Sequence, residues 1–221
     1  MKTDMRSSLG RTAALPSLLC LLVGVQACAT VGALSAGEPQ TSFDRAADPA
    51  PTVQTLHSLS RVMAAQGRQG ECRLVLERLI EDHPRFLQAY NELAELHLRA
   101  DRFEAAMAVL RAGLEVEPRD GVLLNNLGLC HFLRAEFEPA LEQFTLAAAA
   151  EPGDARNRAN MAAALGMQGR LDEALALYYQ ILPPAEAHHD VAVLCEAIGL
   201  EERARAEFSR AERLATRSNL R

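Results

Sequence analysis

Beyond Lys2 the chain has no lysine, and every later positive charge is an arginine. That excludes two chemistries from the body of the protein. A Walker-type phosphate loop closes on a lysine, and a Schiff-base enzyme needs its amine. Tryptophan is missing, and aromatic residues make up only 5% of the 221 positions, so any core must be built from leucine and alanine. These are the strongest helix formers. No long Val/Ile/Thr alternation occurs, which removes the period-2 signature of a half-buried sheet. The catalytic spacings His-Glu-x-x-His, Gly-x-Ser-x-Gly and Gly-x-Gly-x-x-Gly are also absent. His188 and His189 are adjacent, so on a helix they point about 100° apart and cannot share a metal. His97 and His131 read as packing residues, and pairs such as Glu201-Glu202 as solvated helix faces. The expectation is a protein that is not an enzyme, with no catalytic residue, no metal, no cofactor and no small-molecule substrate.

The formal net charge is -6. Lys2, Arg6 and Arg11 against Asp4 leave +2 in the first 27 residues and therefore -8 in the remainder. An acidic body without a basic stripe argues against nucleic acid as partner. The N-terminus has the charged, apolar, small-residue order of a secretory signal over residues 1–27, and its apolar run, interrupted by Pro16, is short for a membrane span. Val25-Gln26-Ala27-Cys28 resembles the bacterial lipobox, which implies lipidation of Cys28; ordinary cleavage after Ala27 and an uncleaved anchor are the other readings. Residues 28–52, rich in Ala, Pro, Ser and Gly, read as a lipidated cysteine and flexible linker. As a coil the linker spans roughly 27 Å. In the resemblance to lipoproteins, Ala29 implies sorting to the outer membrane rather than retention. Cys72, Cys130 and Cys195 remain in the body. An odd number in an oxidising compartment favours buried thiols over a disulfide or metal role.

What the chain has in abundance is self-similarity. Leu93, Leu127 and Met161 are 34 residues apart, as are Phe103, Phe137 and Leu171. The same stride of 34 joins Ala106, Ala140 and Ala174, then Leu110, Phe144 and Tyr178, then Pro84, Pro118 and Pro152. This period, with its apolar, small and proline columns, resembles the tetratricopeptide repeat. The resemblance implies an all-α fold, a right-handed superhelical solenoid of about five helical hairpins. Their bounds are 53–86, 87–120, 121–154, 155–184 and 185–218, with turns near Gly67, Asp101, Glu136 and Gly169. Small residues are expected to face each other inside each hairpin: Ala94 with Ala106, Gly128 with Ala140, Ala162 with Ala174. From Ala174 to Ala204 the stride drops to 30, and the four missing residues are assigned to the second helix of the fourth repeat. The last helix, Ala204 to Ala215, either covers itself with its charges or docks on something.

In this family the first helix of each hairpin lines the concave binding face. The residues expected there are Gln88, Asn91, Glu95 and Leu98, then Asn125, Leu129 and Phe132, then Arg156, Asn160, Ala163 and Met167. Asn126 and Asn160 recur at a stride of 34. An asparagine amide can bond any peptide backbone, so these two either contact a bound peptide or satisfy groups within the array. The layout of lipobox, linker, few repeats and shortened penultimate unit resembles the TadD-type lipoproteins of tight-adherence pilus assembly, and is similar to type IV pilotins. That implies a scaffold on the periplasmic face of the outer membrane, lipid-anchored, with secretin or pilus-assembly components in its groove. The alternative is a general cell-envelope adaptor, soluble in the periplasm or membrane-held, serving envelope maintenance or an enzyme in trans.

Overall fold

The computed structural model describes residues 51–218. The signal segment 1–27, Cys28 and all but the end of the linker lie outside them. Among the described residues there are ten helices and no strand: α1 (Val53–Ala65), α2 (Gln69–Asp82), α3 (Leu87–Leu98), α4 (Phe103–Val116), α5 (Gly121–Leu133), α6 (Phe137–Ala150), α7 (Ala155–Met167), α8 (Leu171–Tyr178), α9 (Pro184–Ala197) and α10 (Glu201–Ser218). They form five hairpins, and none is long and apolar enough to cross a membrane.

Each first helix ends in the same way. Gly67, Asp101, Ala135, Gly169 and Gly199 adopt positive φ values of 71°, 55°, 60°, 79° and 78°. The next residue sends its N–H back five positions: Arg68 to Met63, Arg102 to His97, Glu136 to His131, Arg170 to Leu165 and Leu200 to Cys195, at 2.8–3.0 Å. This is the Schellman stop, which satisfies carbonyls the helix would leave bare. The same residue's carbonyl then starts the second helix, accepting from Cys72, Ala106, Ala140, Ala174 or Ala204. The third turn centres on Ala135, one position before the expected Glu136. At the other end of the first three hairpins, Pro84, Pro118 and Pro152 stand two positions past the last helical residue, where the helix cannot continue. Thr52, Asp120 and Asp154 cap the next first helix through side-chain oxygens, with backbone N–H groups at 3.2, 2.8 and 2.9 Å. Phe86 holds the same position without a cap bond and stacks edge-on against His57 instead, at 5.2 Å.

Within the hairpins the helices meet through two small columns. Cys72, Ala106, Ala140, Ala174 and Ala204 are at most 4% exposed, and Ser60, Ala94, Gly128, Ala162 and Ala192 oppose them, all buried. Between hairpins, large side chains fill the gap: Leu76, Leu110, Phe144 and Tyr178 are all 4% exposed or less. Burying each contributes about 2 kcal/mol. Four apolar clusters follow, each joining a hairpin to its neighbour. The first helices also pack on one another in series, α3 on α5, α5 on α7, α7 on α9, whereas no two second helices pack comparably. The odd-numbered helices therefore form an inner layer and the even-numbered ones an outer layer.

The stride changes where it was expected to. The eight residues of α8 compare with 14 in each of α2, α4 and α6. The last hairpin then seats differently: a Cβ on Gly166 of α7 would strike Leu194 of α9. Among the described residues of α10 no large apolar side chain is exposed. A polar side chain stands in the core of the fourth hairpin. Asn157, 1% exposed, stands where Ala89 and Leu123 stand in earlier hairpins, and its Nδ2 has no partner.

The turn residues give a test with opposite signs. A Cβ at Gly169 would meet nothing within 4 Å, so only backbone strain separates glycine from alanine there. Left-handed backbone costs a non-glycine residue about 1–2 kcal/mol, partly offset by glycine's extra freedom when unfolded. Ala135→Gly is expected to raise stability by about 0.5 kcal/mol and Gly169→Ala to lower it by about 1 kcal/mol. Urea melting of the two variants checks both.

Candidate functional site

The eleven residues expected on the binding face, and Asn126 with them, all lie on α3, α5 and α7, in the inner layer. What the structure adds is how they connect. Asn126 donates through Nδ2 to Asn91 Oδ1, and Asn160 donates through Nδ2 to Asn125 Oδ1 at 2.7 Å. Asn125 and Asn126 touch side by side on α5, at 3.4 Å. Asn91 donates in turn to Glu95 at 2.9 Å, and Glu95 also accepts from Arg99 at 3.3 Å. One junction earlier, His57 Nε2 meets Glu92 Oε1 at 2.7 Å, and Gln88 donates to the same oxygen at 3.0 Å. The result is a polar ladder running from α1 to α7 along the inner row. Each asparagine spends one amide hydrogen of two on it, so donor and acceptor capacity remains on every rung.

The other candidates are placed around the ladder. Leu129 is half-buried on α5. Phe132 stacks edge-on with Phe137 at 5.4 Å and leans on the Ala140–Phe144–Ala164 cluster. Met167 packs against the last core cluster. Arg156 folds back on its own helix cap, Asp154, at 2.7 Å, which holds that carboxyl below its usual pKa, mainly by the hydrogen bond. Ala163, also expected on the open face, is only 5% exposed.

Sequence reasoning missed the pairing rule, although its signal was present. His57, Asn91 and Asn125 form one column at a stride of 34, and Glu92, Asn126 and Asn160 form the next. It also missed a second polar group. His188 lies between Tyr179 and Glu207: the Tyr179 hydroxyl meets Nε2 at 2.7 Å, and Glu207 meets Nδ1 at 2.6 Å. His188 and Glu207 are 4% and 5% exposed. They tie α10, α9 and the end of α8 together.

The histidine column between hairpins divides. His131 Nδ1 meets Glu136 at 2.6 Å, and that bond, followed by Arg134, keeps the Glu136 pKa low. His97 is 9% exposed and its Nδ1 has no partner. Burial first, then Arg102, lowers its pKa below 6.5. Among the described residues no group of three or more His, Cys, Asp or Glu is placed to hold a metal. The thiols of Cys72, Cys130 and Cys195 are all buried and unpaired, and burial pushes Cys130 up to about 11.

Comparison with known proteins now bears on this geometry. A tetratricopeptide-repeat family model matches residues 53–78, 87–112 and 155–178. Among curated proteins the chain is similar to the mouse protein O-mannosyl-transferase TMTC1, 24% identical over 129 residues, which are 57% of this chain. The match spans only 14% of that protein's length. Among solved structures it is similar to MamA from Desulfovibrio magneticus RS-1, with a TM-score of 0.61 and 15% identity, covering 74% of this chain and 95% of the other. It is also similar to YrrB, titled a TPR protein with an unusual peptide-binding site, with a TM-score of 0.58 and 17% identity, covering 74% and 87%. These structural likenesses concern the fold.

Two tests follow from the inner row and the buried histidine. Asn126→Ala removes a donor to Asn91 and an acceptor for Asn125, and is expected to cost about 1 kcal/mol. A double-mutant cycle with Asn91→Ala, read by urea melting, should show coupling of similar size; no coupling means the rung contributes nothing. For His97, the unfolded chain binds the proton more tightly than the folded one. Stability is therefore complete above pH 6.5 and falls as pH drops from there toward the lowered folded value. His97→Met, which copies Met63 at the same position of the first hairpin, is expected to reduce the loss of melting temperature between pH 7.5 and pH 5, values chosen about one unit or more either side of the ordinary histidine pKa.

Proposed function

We propose that this chain, a protein of tetratricopeptide repeats, is a non-enzymatic scaffold that holds an extended segment of another protein along the inner face of its odd-numbered helices. We further propose that Cys28 anchors it by lipid to the periplasmic face of a bacterial outer membrane, where it serves the assembly of a pilus or secretion apparatus. The observation that carries the binding role is the ladder. Asn91, Asn125, Asn126 and Asn160 hold one another in place across three hairpins, and each keeps amide capacity for a ligand backbone. Side chains fixed before binding lose less conformational freedom when a ligand arrives. Leu129, Phe132 and Met167 lie on the same helices and offer apolar contact. The peptide-binding site named for YrrB, on the same fold, supports this reading. The anchor and the address are supported by the lipobox-like Val25-Gln26-Ala27-Cys28 and by Ala29 after it. More than one acyl chain gives durable attachment, since one chain binds only marginally.

The test has two arms. Cys28→Ala is expected to move the protein from the membrane to the soluble fraction; unchanged membrane association defeats the anchor. A photo-cross-linking residue at Leu129, on the inner row, is expected to yield an adduct with a secretin or pilus-assembly component. The same residue at Leu146, 47% exposed on outer-layer α6, is expected to yield none. Equal cross-linking from both positions, or none from Leu129, defeats the inner-face reading.

A further inference from the structure

The ladder follows one register. Its rungs join residues 35 apart: His57 to Glu92, Asn91 to Asn126, Asn125 to Asn160. After the stride shortens by four, the next rung joins residues 31 apart, which are Ala159 and Asp190. Ala159 has no polar atom to offer. Asp190 therefore receives nothing from α7, and its one polar contact among the described residues is the adjacent His189, at 3.5 Å. Burial raises its pKa, His189 opposes the rise through its hydrogen bond and charge, and Glu186 adds a little to it.

A second group points at the same gap. Tyr178 is 4% exposed, with its ring packed among Ala187, Val191 and Leu194 of α9. Its hydroxyl is near enough to Asp190 to feel that charge, and it makes no hydrogen bond among the described residues. That oxygen is not among the sealed, unbonded polar atoms, so it is open to a donor from outside. Apart from His189, which pairs with Asp190 when protonated, the charge around the gap is negative. α9 carries Glu186, Asp190 and Glu196 with no arginine or lysine, and none of the three is ion-paired to an arginine. The inner-row arginine of α7, Arg156, is already engaged by Asp154.

We propose that the missing rung between Ala159 and Asp190 is a binding site for one cationic side chain, an arginine or lysine, of the extended polypeptide held on the inner face. The inference rests on the scaffold reading above and names the chemistry of its partner at one position. Such a side chain donates to the Asp190 carboxylate and to the Tyr178 oxygen together, a charge-assisted pair in a half-buried setting. The intact rungs at Asn125 and Asn160 lie beside it, where the partner's backbone would pass.

The probe is a set of acetyl-Ala-Leu-X-Leu-Ala-amide peptides, with X arginine, lysine or the uncharged citrulline. Binding to the full chain is read by NMR on labelled tyrosine rings. The arginine and lysine peptides are expected to shift Tyr178 and to bind about tenfold more tightly than the citrulline peptide. Asp190→Asn should bring all three to the citrulline affinity. Ala159→Asn, which supplies the missing donor from within the chain, should weaken the arginine peptide similarly without lowering the melting temperature. Equal affinities in the native chain, a preference that survives Asp190→Asn, or no binding by any peptide overturns the proposal. Cross-linking from Leu129 without any preference for arginine defeats this site alone. Loss of that cross-linking defeats the scaffold reading beneath it.

Discussion

Two columns of small side chains set the spacing on which the rest depends. Gly128 shows how narrow the tolerance is. A Cβ there would strike the Phe144 ring and come within 3.2 Å of the Ala140 carbonyl. With Ala94 facing Ala106 and Ala162 facing Ala174, each hairpin closes to nearly the same separation. Equal hairpins stack at equal steps, and equal steps bring the same columns of neighbouring first helices together. The amide ladder results from that regularity: a polar row between α3, α5 and α7 can bond only if every repeat presents it at one height. Helix propensity alone would produce ten helices without any of these alignments.

The fifth hairpin departs from the pattern in several coordinated ways. α8 stops six residues short of the 14 found in α2, α4 and α6. Gly166 lets Leu194 settle directly on α7. His188 stands where Leu56, Tyr90, Leu124 and Arg158 stand earlier, and Glu207 where Val75, Val109, Gln143 and Leu177 do. The two polar replacements occur as partners, so neither is left unsatisfied, and Tyr179 at the shortened end of α8 completes them. A buried pair of this kind contributes little net stability, but removing one member is costly. It therefore fixes one seating of the last hairpin. The interrupted ladder and the lone Asp190 arise from the same shift.

Much of this was legible in the residues. The stride of 34, the small columns and the prolines gave hairpins whose turns fall within one residue of expectation, and the drop to 30 located the short helix. The turn at Ala135 was read one position late because no glycine marks it. The inner row was legible as a set of residues but not as a network. Asn91 and Asn126 bond across a junction whose angle no periodicity states, and a pairing at 35 inside a repeat of 34 depends on the tilt between helices. Ala163 looked open by helical phase but is covered. Asp190 gave no signal, since its significance lies in what Ala159 lacks.

The three thiols have a consequence for the life of the chain. Cys72, Cys130 and Cys195 lie in three different apolar clusters, so no two can meet while the hairpins stand. While the hairpins stand, these three thiols are indifferent to their redox surroundings, since a buried, protonated sulfur is a poor nucleophile. Once opened where an oxidant is present, the same chain releases three competent partners for crosswise bridges, every one of them non-native. Its return from denaturation would then depend on the speed of collapse against the speed of sulfur chemistry, and its endurance on how rarely it opens.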